Sequence, residues 1–435
     1  MQNNIRFLLH PRSIALLGCS ENNAAGTVLA NLLHNKYSGD IYPVHPRHEQ
    51  VLGLKCYKNL QDIPGEVDVC LVGLRSDLVL NSIEEMHQKG VPAAVFLASG
   101  FSETGEEGRL LERQVSEKLS EYKIAACGPN CLGLINVNEG ATLYSAACEV
   151  MNSKGRIGVV SHSGSVCIAL SSAARGEGFS YLISCGNEAG LSVADYFKAM
   201  IEEDSTEIVV GFLETIRDPK GLEEAAKLAI ERNKPIVILK VGKSEIAQET
   251  ASAHSGALAS SSDVNEAFFQ KHGILEVDSF DELSEVCELL IKIKDHPRSS
   301  ANEIALTAIS GGQLGFCCDA AYHEGVAIGE VSEATKNKLA DILPSFATPK
   351  NPLDVTTALF SPSDYQACIK ALLDDDAVGL LMVCQDSEAK MFDEEIDLYR
   401  KIIEAIRDVK SEVTKPIVVF SRSEERRVGK ECRSR

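Results

Sequence analysis

His254 stands in the run Ala251-Ser252-Ala253-His254-Ser255-Gly256-Ala257-Leu258-Ala259, where small residues let a ligand approach the ring closely. No neighbouring Cys, His or acid completes a metal-ligand spacing, so no metal is expected there. A neutral imidazole can attack phosphorus through one ring nitrogen when a carboxylate holds the other. Phosphate also needs donors, and two strand-to-helix joints offer them. Ser161-His162-Ser163-Gly164-Ser165 is one and Ser310-Gly311-Gly312-Gln313-Leu314-Gly315 the other. The free N–H groups and positive dipole end of a helix start make an anion seat. Taken singly, the Ser161–Ser165 joint reads first as a plain capped helix start; the histidine reverses that and tips the reading toward phosphate chemistry.

The elements that must position these residues repeat as strand, Gly/Ser loop and helix. Strands are expected at 13–17, 40–44, 67–72, 93–97, 156–160, 208–212, 235–240, 303–308, 378–384 and 416–420, with helices such as 78–88, 109–118 and 222–232 between them. Short apolar runs alternating with amphipathic segments indicate parallel sheets buried on both faces, a doubly wound α/β architecture. Three strand-to-turn openings resemble one another, at Ser13, Arg156 and Glu303, and mark three consecutive units. Polar joints near Lys154-Gly155 and His296–Ser300 give domains at 1–153, 154–297 and 298–421.

Composition narrows the partners. The chain has 435 residues, 44% hydrophobic and 24% charged, ordinary for a soluble globular protein. No apolar run approaches the roughly 18 residues of a membrane helix, and the N-terminal Met1–Arg6 lacks a secretory core. Fourteen cysteines without a C-x-x-C pair read as reduced core thiols of a cytoplasmic protein. A net charge of −20 argues against nucleic acid. The last 14 residues, with six basic and three acidic groups, reverse that balance directly after an apolar strand, and 422–435 are read as a non-native tail.

In the first unit the loop Gly18-Cys19-Ser20-Glu21-Asn22-Asn23-Ala24-Ala25-Gly26 is not G-x-G-x-x-G. The second strand ends in Pro43-Val44-His45-Pro46-Arg47, basic where an NAD site carries an acid. That suits a phosphorylated nucleotide such as coenzyme A or NADP. Ser99-Gly100-Phe101 and Gly128-Pro129-Asn130-Cys131-Leu132-Gly133 add small-residue loops at the edge where such folds bind ligands.

Together with Gly186-Asn187 and Ser252–Gly256, these ordered segments make residues 8–420 resemble the alpha portion of NDP-forming (ADP-forming) acyl-CoA synthetases, relatives of succinyl-CoA synthetase and acetate-CoA ligase. The resemblance implies a Rossmann-like coenzyme-A-binding domain followed by two flavodoxin-like domains. Coenzyme A contacts are then expected at Gly18, Ser20, Val44, Pro46, Arg47, Ser99, Gly100, Asn130 and Cys131. It implies that His254 is phosphorylated in turnover and that Glu214, at the end of the 208–212 strand, accepts its N–H. It further implies two helix starts on one phosphoryl group, through Ser161, Ser163, Gly164, Ser165, Gly311 and Gly312. Asn351-Pro352-Leu353-Asp354-Val355 also looks like a family segment, and equally like a structural turn.

The chain departs from the family at His45-Pro46-Arg47, where Asn-Pro-Lys is usual, and at His162, where Gln is usual. Arg can replace Lys as a phosphate contact. The implied reaction joins a small carboxylic acid to coenzyme A through an acyl phosphate, as an acid-thiol ligase. Mg-ATP or ADP is expected on an ATP-grasp beta subunit or a lost C-terminal ATP-grasp domain, in an oligomer. Two rivals are a non-catalytic coenzyme-A-binding regulatory module of the protein-acetyltransferase type and an NADP-dependent oxidoreductase. Retention of His254 with Glu214 argues against the first, and the missing G-x-G-x-x-G against the second.

Overall fold

The structure, a computed structural model, describes residues 2–148, 154–173, 177–244, 246–247, 262–294, 296, 301–356, 361–385 and 392–421. It divides into two compact units, Met1–Lys292 and Ile293–Arg435. His254 lies outside the described residues, as does the 422–435 tail.

The first sheet is built from β1 (Ser13–Leu17), β2 (Asp40–Val44), β5 (Val69–Val72), β6 (Ala93–Phe96) and β7 (Ala125–Cys127). A small hairpin, β3 (Gln50–Val51) with β4 (Leu54–Lys55), follows β2. All pairings within the sheet are parallel, in the order β2-β1-β5-β6-β7. A single parallel bridge, Val44 to Tyr57, continues it beyond β2. Counting that bridge as a third strand reduced to one pair, the order is the 3-2-1-4-5-6 of a dinucleotide-binding sheet. Strand residues alternate between two cores. Ile14, Leu16, Val69 and Leu71 face helix α2 (Ala24–His34), following α1 (Ile5–Leu9), while Ala15, Leu17, Cys70 and Val72 face α3 (Val79–Lys89) and α4 (Glu106–Tyr122).

The second sheet differs from an all-parallel expectation. Its parallel part runs β11 (Phe179–Ser184), β10 (Lys154–Ser161), β12 (Ile208–Leu213), β13 (Ile236–Lys240) and β14 (Leu275–Val277), a flavodoxin-like 2-1-3-4-5 order. Two further strands, β8 (Gly133–Asn136) and β9 (Ala141–Tyr144), extend it antiparallel at the β11 edge. They are joined by the short turn 137–140, and strands so joined can only pair antiparallel. Residues ahead of the expected 154 boundary are therefore part of the second sheet. The core behind β1 also continues through Tyr181, Ile183 and Phe197 of the second layer, so both sheets share one unit. Buried amides reinforce the seam: Asn31 Nδ2 donates to Tyr144 O and Ala146 O at 2.8 Å, and Asn136 Nδ2 to Leu9 O at 2.8 Å. Helices α5 (Gly164–Ala173), α6 (Val193–Glu202), α7 (Pro219–Arg232), α8 (Ser262–His272) and α9 (Phe280–Ile293) follow the strands of this sheet.

The second unit holds a parallel sheet, β16 (Leu353–Asp354), β15 (Glu303–Ala308), β17 (Val378–Cys384) and β18 (Ile417–Phe420), in flavodoxin-like 2-1-3-4 order. Its helices are α10 (Gly311–His323), α11 (Glu333–Ile342), α12 (Pro362–Leu373) and α13 (Asp393–Lys410). Among the described residues, no helix is long and apolar enough to cross a membrane, and no cluster of His, Cys, Asp and Glu is arranged to hold a metal ion.

One ion-pair cluster spans the seam of the first unit. His10 Nδ1 meets Glu139 Oε1 at 2.5 Å and its Nε2 meets Glu203 Oε1 at 3.0 Å. Burial disfavours the imidazolium, but the hydrogen bonds and charges of both glutamates outweigh it and raise the pKa above 6.5. A raised value means the folded state holds a proton the unfolded chain releases. The stabilisation is complete below pH 6.5 and lost as pH rises through the raised value. Urea denaturation from about pH 5 to about pH 9 should show this loss, and His10→Gln should flatten that part of the profile.

Candidate active site

Two groups of loops gather at the carboxyl edges of the first two sheets. At the first, β1 and β5 diverge to opposite sides, the switch point where such sheets take ligands. Gly18 turns there at φ +75°, and an added Cβ would lie 2.7 Å from Leu74 Cδ2. Its N–H, with that of Cys19, donates to Val44 O at 2.9 and 3.2 Å, which joins Gly18 and Ser20 to the Val44–Arg47 loop. Asn23 organises the turn. Its Oδ1 accepts from Ser20 N and Gly26 N at 3.2 and 3.0 Å, capping α2, and its Nδ2 donates to Gly18 O at 2.7 Å. Pro46 and Arg47 are exposed, with His45 and His48 rings 4.2 Å apart beside them. Burial, then the charges of His48 and Arg47, lowers the His45 pKa. The α2 start beside exposed basic side chains fits a phosphate-bearing nucleotide such as coenzyme A.

Farther along the same edge lie Ser99, exposed, and Gly100, with Asn130 tied to them by its N–H to Ala98 O at 2.8 Å. Cys131 differs from expectation. Its thiol is buried and directed at Phe96 O, 3.3 Å away, and a hydrogen bond with Cys127 together with burial holds its pKa well above the usual thiol range. The side chain is core, leaving only the main chain of this residue for a ligand.

The second group surrounds a small cleft lined by Asn130, His162, Gly186, Asn187, Glu214, Thr215 and Arg217. Glu214 follows β12, and its N–H donates to His162 Nδ1 at 2.9 Å. The other ring nitrogen, Nε2, lies 2.9 Å from Glu188 Oε1, with both side chains almost fully buried (5% and 3% exposed). A ring nitrogen that accepts a peptide N–H carries no proton, so His162 is the neutral Nε2–H tautomer. Its open role is thereby narrowed: both nitrogens are engaged, and it brings neither a positive charge nor a free nucleophile. A glutamine offers the same pairing of one acceptor and one donor.

Glu188 is held in turn. Its Oε2 accepts from Val193 N at the start of α6, at 2.7 Å, and Arg217 Nε lies 3.7 Å from Oε1. The turn presenting it is tight: Gly186 has φ +60°, and an added Cβ would lie 2.1 Å from Pro129 O. Asn187 bridges the two edges. Its Nδ2 lies 3.2 Å from Ser102 Oγ, 2.9 Å from Glu103 Oε2 and 2.7 Å from Glu112 Oε2, while its Oδ1 accepts from Asn130 Nδ2 at 3.3 Å. Burial pushes the Glu103 carboxyl upward, but hydrogen bonds from Asn187 and from the N–H groups of Gly100 and Phe101 hold its pKa below 4.5. Beneath Glu214, buried Lys240 donates from Nζ to Glu214 O at 2.8 Å and to Val241 O at 2.5 Å. Burial lowers the Lys240 pKa, against the opposing charges of Glu276 and Glu214.

The expected phosphate residues divide. Ser161 Oγ is spent inside its own loop, donating to Ser163 O at 2.7 Å and accepting from Ser163 N at 3.0 Å. Ser163 and Ser165 hydroxyls lie 3.0 Å apart at the start of α5, which begins at Gly164. This leaves the first-turn N–H groups of α5 as the donors of that helix start. In the second unit a carboxylate already stands at the α10 start: a Cβ on Gly311 would lie 2.8 Å from Asp354 Oδ2, whose Oδ1 accepts from Thr356 N at 2.9 Å. Such a neighbour opposes an anion at Gly311 and Gly312. Asn351 is structural, bonding Leu306 N, Ile304 O and Gly329 O at 2.7–2.9 Å.

Residues 12–137 match the family described as CoA binding domain, and 154–290 the succinyl-CoA ligase like flavodoxin domain. The alpha subunit of ADP-forming acetate–CoA ligase II from Pyrococcus furiosus is 32% identical over 381 residues, 86% of this chain and 81% of that protein. The chain belongs to the ADP-forming acyl-CoA synthetase family. ADP-forming acetate–CoA ligase I of Archaeoglobus fulgidus is also 32% identical, over 88% of this chain and 55% of that protein. A solved acetyl-coenzyme A synthetase 1 from Ca. Korarchaeum cryptofilum, in complex with phosphate and ADP, superposes with a TM-score of 0.83 at 26% identity, covering 96% of this chain and 89% of that one. The chain spans about half the length of the first curated relatives it matches.

Within this family frame, the residues that sequence reasoning missed are Asn23, Glu103, Glu188, Arg217 and Lys240. Asn23 carried a legible signal, an Asn directly before a helix. Lys240 was visible as a charge closing an apolar strand. Glu188 gave none, since its role comes from residues 26 positions away. Asn23→Ala removes a helix cap and should lower stability by about 0.5–2 kcal/mol in chemical denaturation, the usual cost of losing such a cap.

Proposed function

We propose that the chain is the alpha part of an NDP-forming acyl-CoA synthetase, an acid-thiol ligase. It interconverts acyl-CoA, phosphate and ADP with a carboxylic acid, coenzyme A and ATP through an acyl phosphate and phospho-His254. The observation carrying this reading is the pinned Glu214 at the end of β12, beside β13, after which the chain continues into the His254 segment. The α5 start on β10, the other neighbour of β12, supplies N–H donors beside it. Family membership and relatives named as ligases support catalysis over a purely regulatory role.

Gly18, Ser20, Val44, Pro46 and Arg47 would hold coenzyme A, with Ser99, Gly100 and Asn130 farther along the edge; the bound group supplies the acyl-accepting thiol. His254 forms a P–N bond as the acyl phosphate P–O bond breaks and the carboxylate leaves. Glu214 holds the second ring nitrogen, which keeps the attacking lone pair free. The phosphoryl group then passes to ADP with Mg²⁺ on an ATP-grasp part, carried by a beta subunit or another stretch of the polypeptide. We assign 1–153, apart from the β8–β9 hairpin that joins the second sheet, to coenzyme A, 154–297 to the phosphohistidine and 298–421 to a second flavodoxin-like domain, in a cytoplasmic oligomer consistent with the free thiols of the described residues.

The chain incubated with radiolabelled acetyl phosphate should take up label without nucleotide. His254→Ala should abolish uptake, and Glu214→Gln should slow it by roughly 100- to 10,000-fold, the range for losing positioned acid–base help. Normal labelling in His254→Ala would overturn the reading. Arg47→Glu should weaken coenzyme A binding in titration calorimetry, and tighter binding of NAD or NADP than of coenzyme A would contradict the ligand assignment.

A further inference from the structure

Around the Glu214 main chain stand buried polar groups that the reaction as proposed does not use. His162, Glu188 and Lys240 are all nearly inaccessible, and none reaches solvent as an ordinary surface charge would. Two of them converge on the peptide groups that flank one residue. The Glu214 N–H donates to His162 Nδ1 at 2.9 Å, and the Glu214 C=O accepts a hydrogen bond from Lys240 Nζ at 2.8 Å. Glu188 lies behind His162, 2.9 Å from Nε2.

We propose that Glu188, His162 and Lys240 are positioning residues for Glu214: Glu188 holds His162 in its Nε2–H tautomer, and His162 and Lys240 clamp the main chain on either side of Glu214. The assignment follows from donor and acceptor bookkeeping. Nδ1 must be unprotonated to accept the peptide N–H, so Nε2 must carry the ring proton, and a carboxylate is the acceptor that secures it there. A cationic ring would set two donors against each other at Nδ1. On the far side, Lys240 supplies an ammonium donor to the carbonyl just past the end of β12. With both peptide groups fixed, the Cα–Cβ direction of Glu214 is set, which limits where its carboxylate can reach. A main chain held this way needs little reorganisation at the moment of transfer.

The role in transfer rests on the proposed phosphohistidine chemistry; the tautomer does not. Glutamine at 162 keeps one acceptor and one donor, whereas leucine keeps the bulk and loses both. In the full chain, the saturated rate of phosphoryl uptake from acetyl phosphate should fall about 10- to 100-fold in His162→Leu, the effect of an unsatisfied buried donor on a barrier. His162→Gln should bring it back to within about threefold of the parent. Lys240→Met should slow the same step, and half-saturation by acetyl phosphate and coenzyme A affinity should stay unchanged in all three. Nitrogen-15 NMR of the labelled parent should show His162 with Nε2 protonated and Nδ1 bare at neutral pH. A doubly protonated or Nδ1–H ring, or a His162→Gln variant as slow as His162→Leu, overturns the clamp. An unchanged rate in Lys240→Met overturns its carboxyl-side half. If the parent takes up no phosphoryl group, the reaction assignment fails while the NMR result still decides the clamp, also where His162→Leu does not fold.

Discussion

The hydrogen bond from the Glu214 peptide to a neutral His162 ring is the constraint around which the site of the first unit is arranged. A buried carboxylate and a buried imidazole are each costly unless their polar atoms are matched. Here they match each other, and the surplus valences of Glu188 reach the start of α6 and the Arg217 guanidinium. The result is a polar interior built into an otherwise apolar sheet edge. Its partners come from the ends of β10, β11 and β12, so the neighbouring register of these strands is what makes the pairing possible.

The same logic links the two sheets of the first unit. Their carboxyl edges each gather glycine-containing turns, and Asn187, beyond β11 of the second sheet, reaches Ser102, Glu103, Glu112 and Asn130 of the first. The β8–β9 hairpin, covalently part of the first stretch and hydrogen-bonded in the second sheet, welds the layers from the opposite edge. Both carboxyl edges thereby belong to one compact unit, which suits the proposed transfer reaction, a chemistry that tolerates little misplacement.

Much of the architecture was legible because apolar runs of four to seven residues are strong signals when buried on both faces. β1, β2, β15 and β17 fall at the residues expected; the openings at Ser13 and Glu303 each begin a sheet, and the one at Arg156 begins the parallel part of the second. β8, β9 and β11 were overlooked. The first two are four residues each around a polar turn, and β11 mixes Ser180 and Tyr181 into its apolar run. At the candidate site, residue type pointed to loops at the carboxyl edges but not to side-chain direction. Cys131 turns into the core and Ser161 closes its own loop, because both satisfy nearby main-chain groups before any ligand arrives. Glu188 and Lys240 act through partners distant in sequence, which no local pattern encodes.

The central claim is that this chain carries its phosphoryl group on a histidine. Phosphorus-31 NMR of the acetyl-phosphate-treated chain, denatured in base, combined with mass-spectrometric mapping, tests it most directly. The account predicts one phosphoramidate, stable in base and lost in acid, on the peptide containing Ala251–Ala259 at His254. A base-labile phosphate ester on Ser252 or Ser255, or no bound phosphorus, would contradict it.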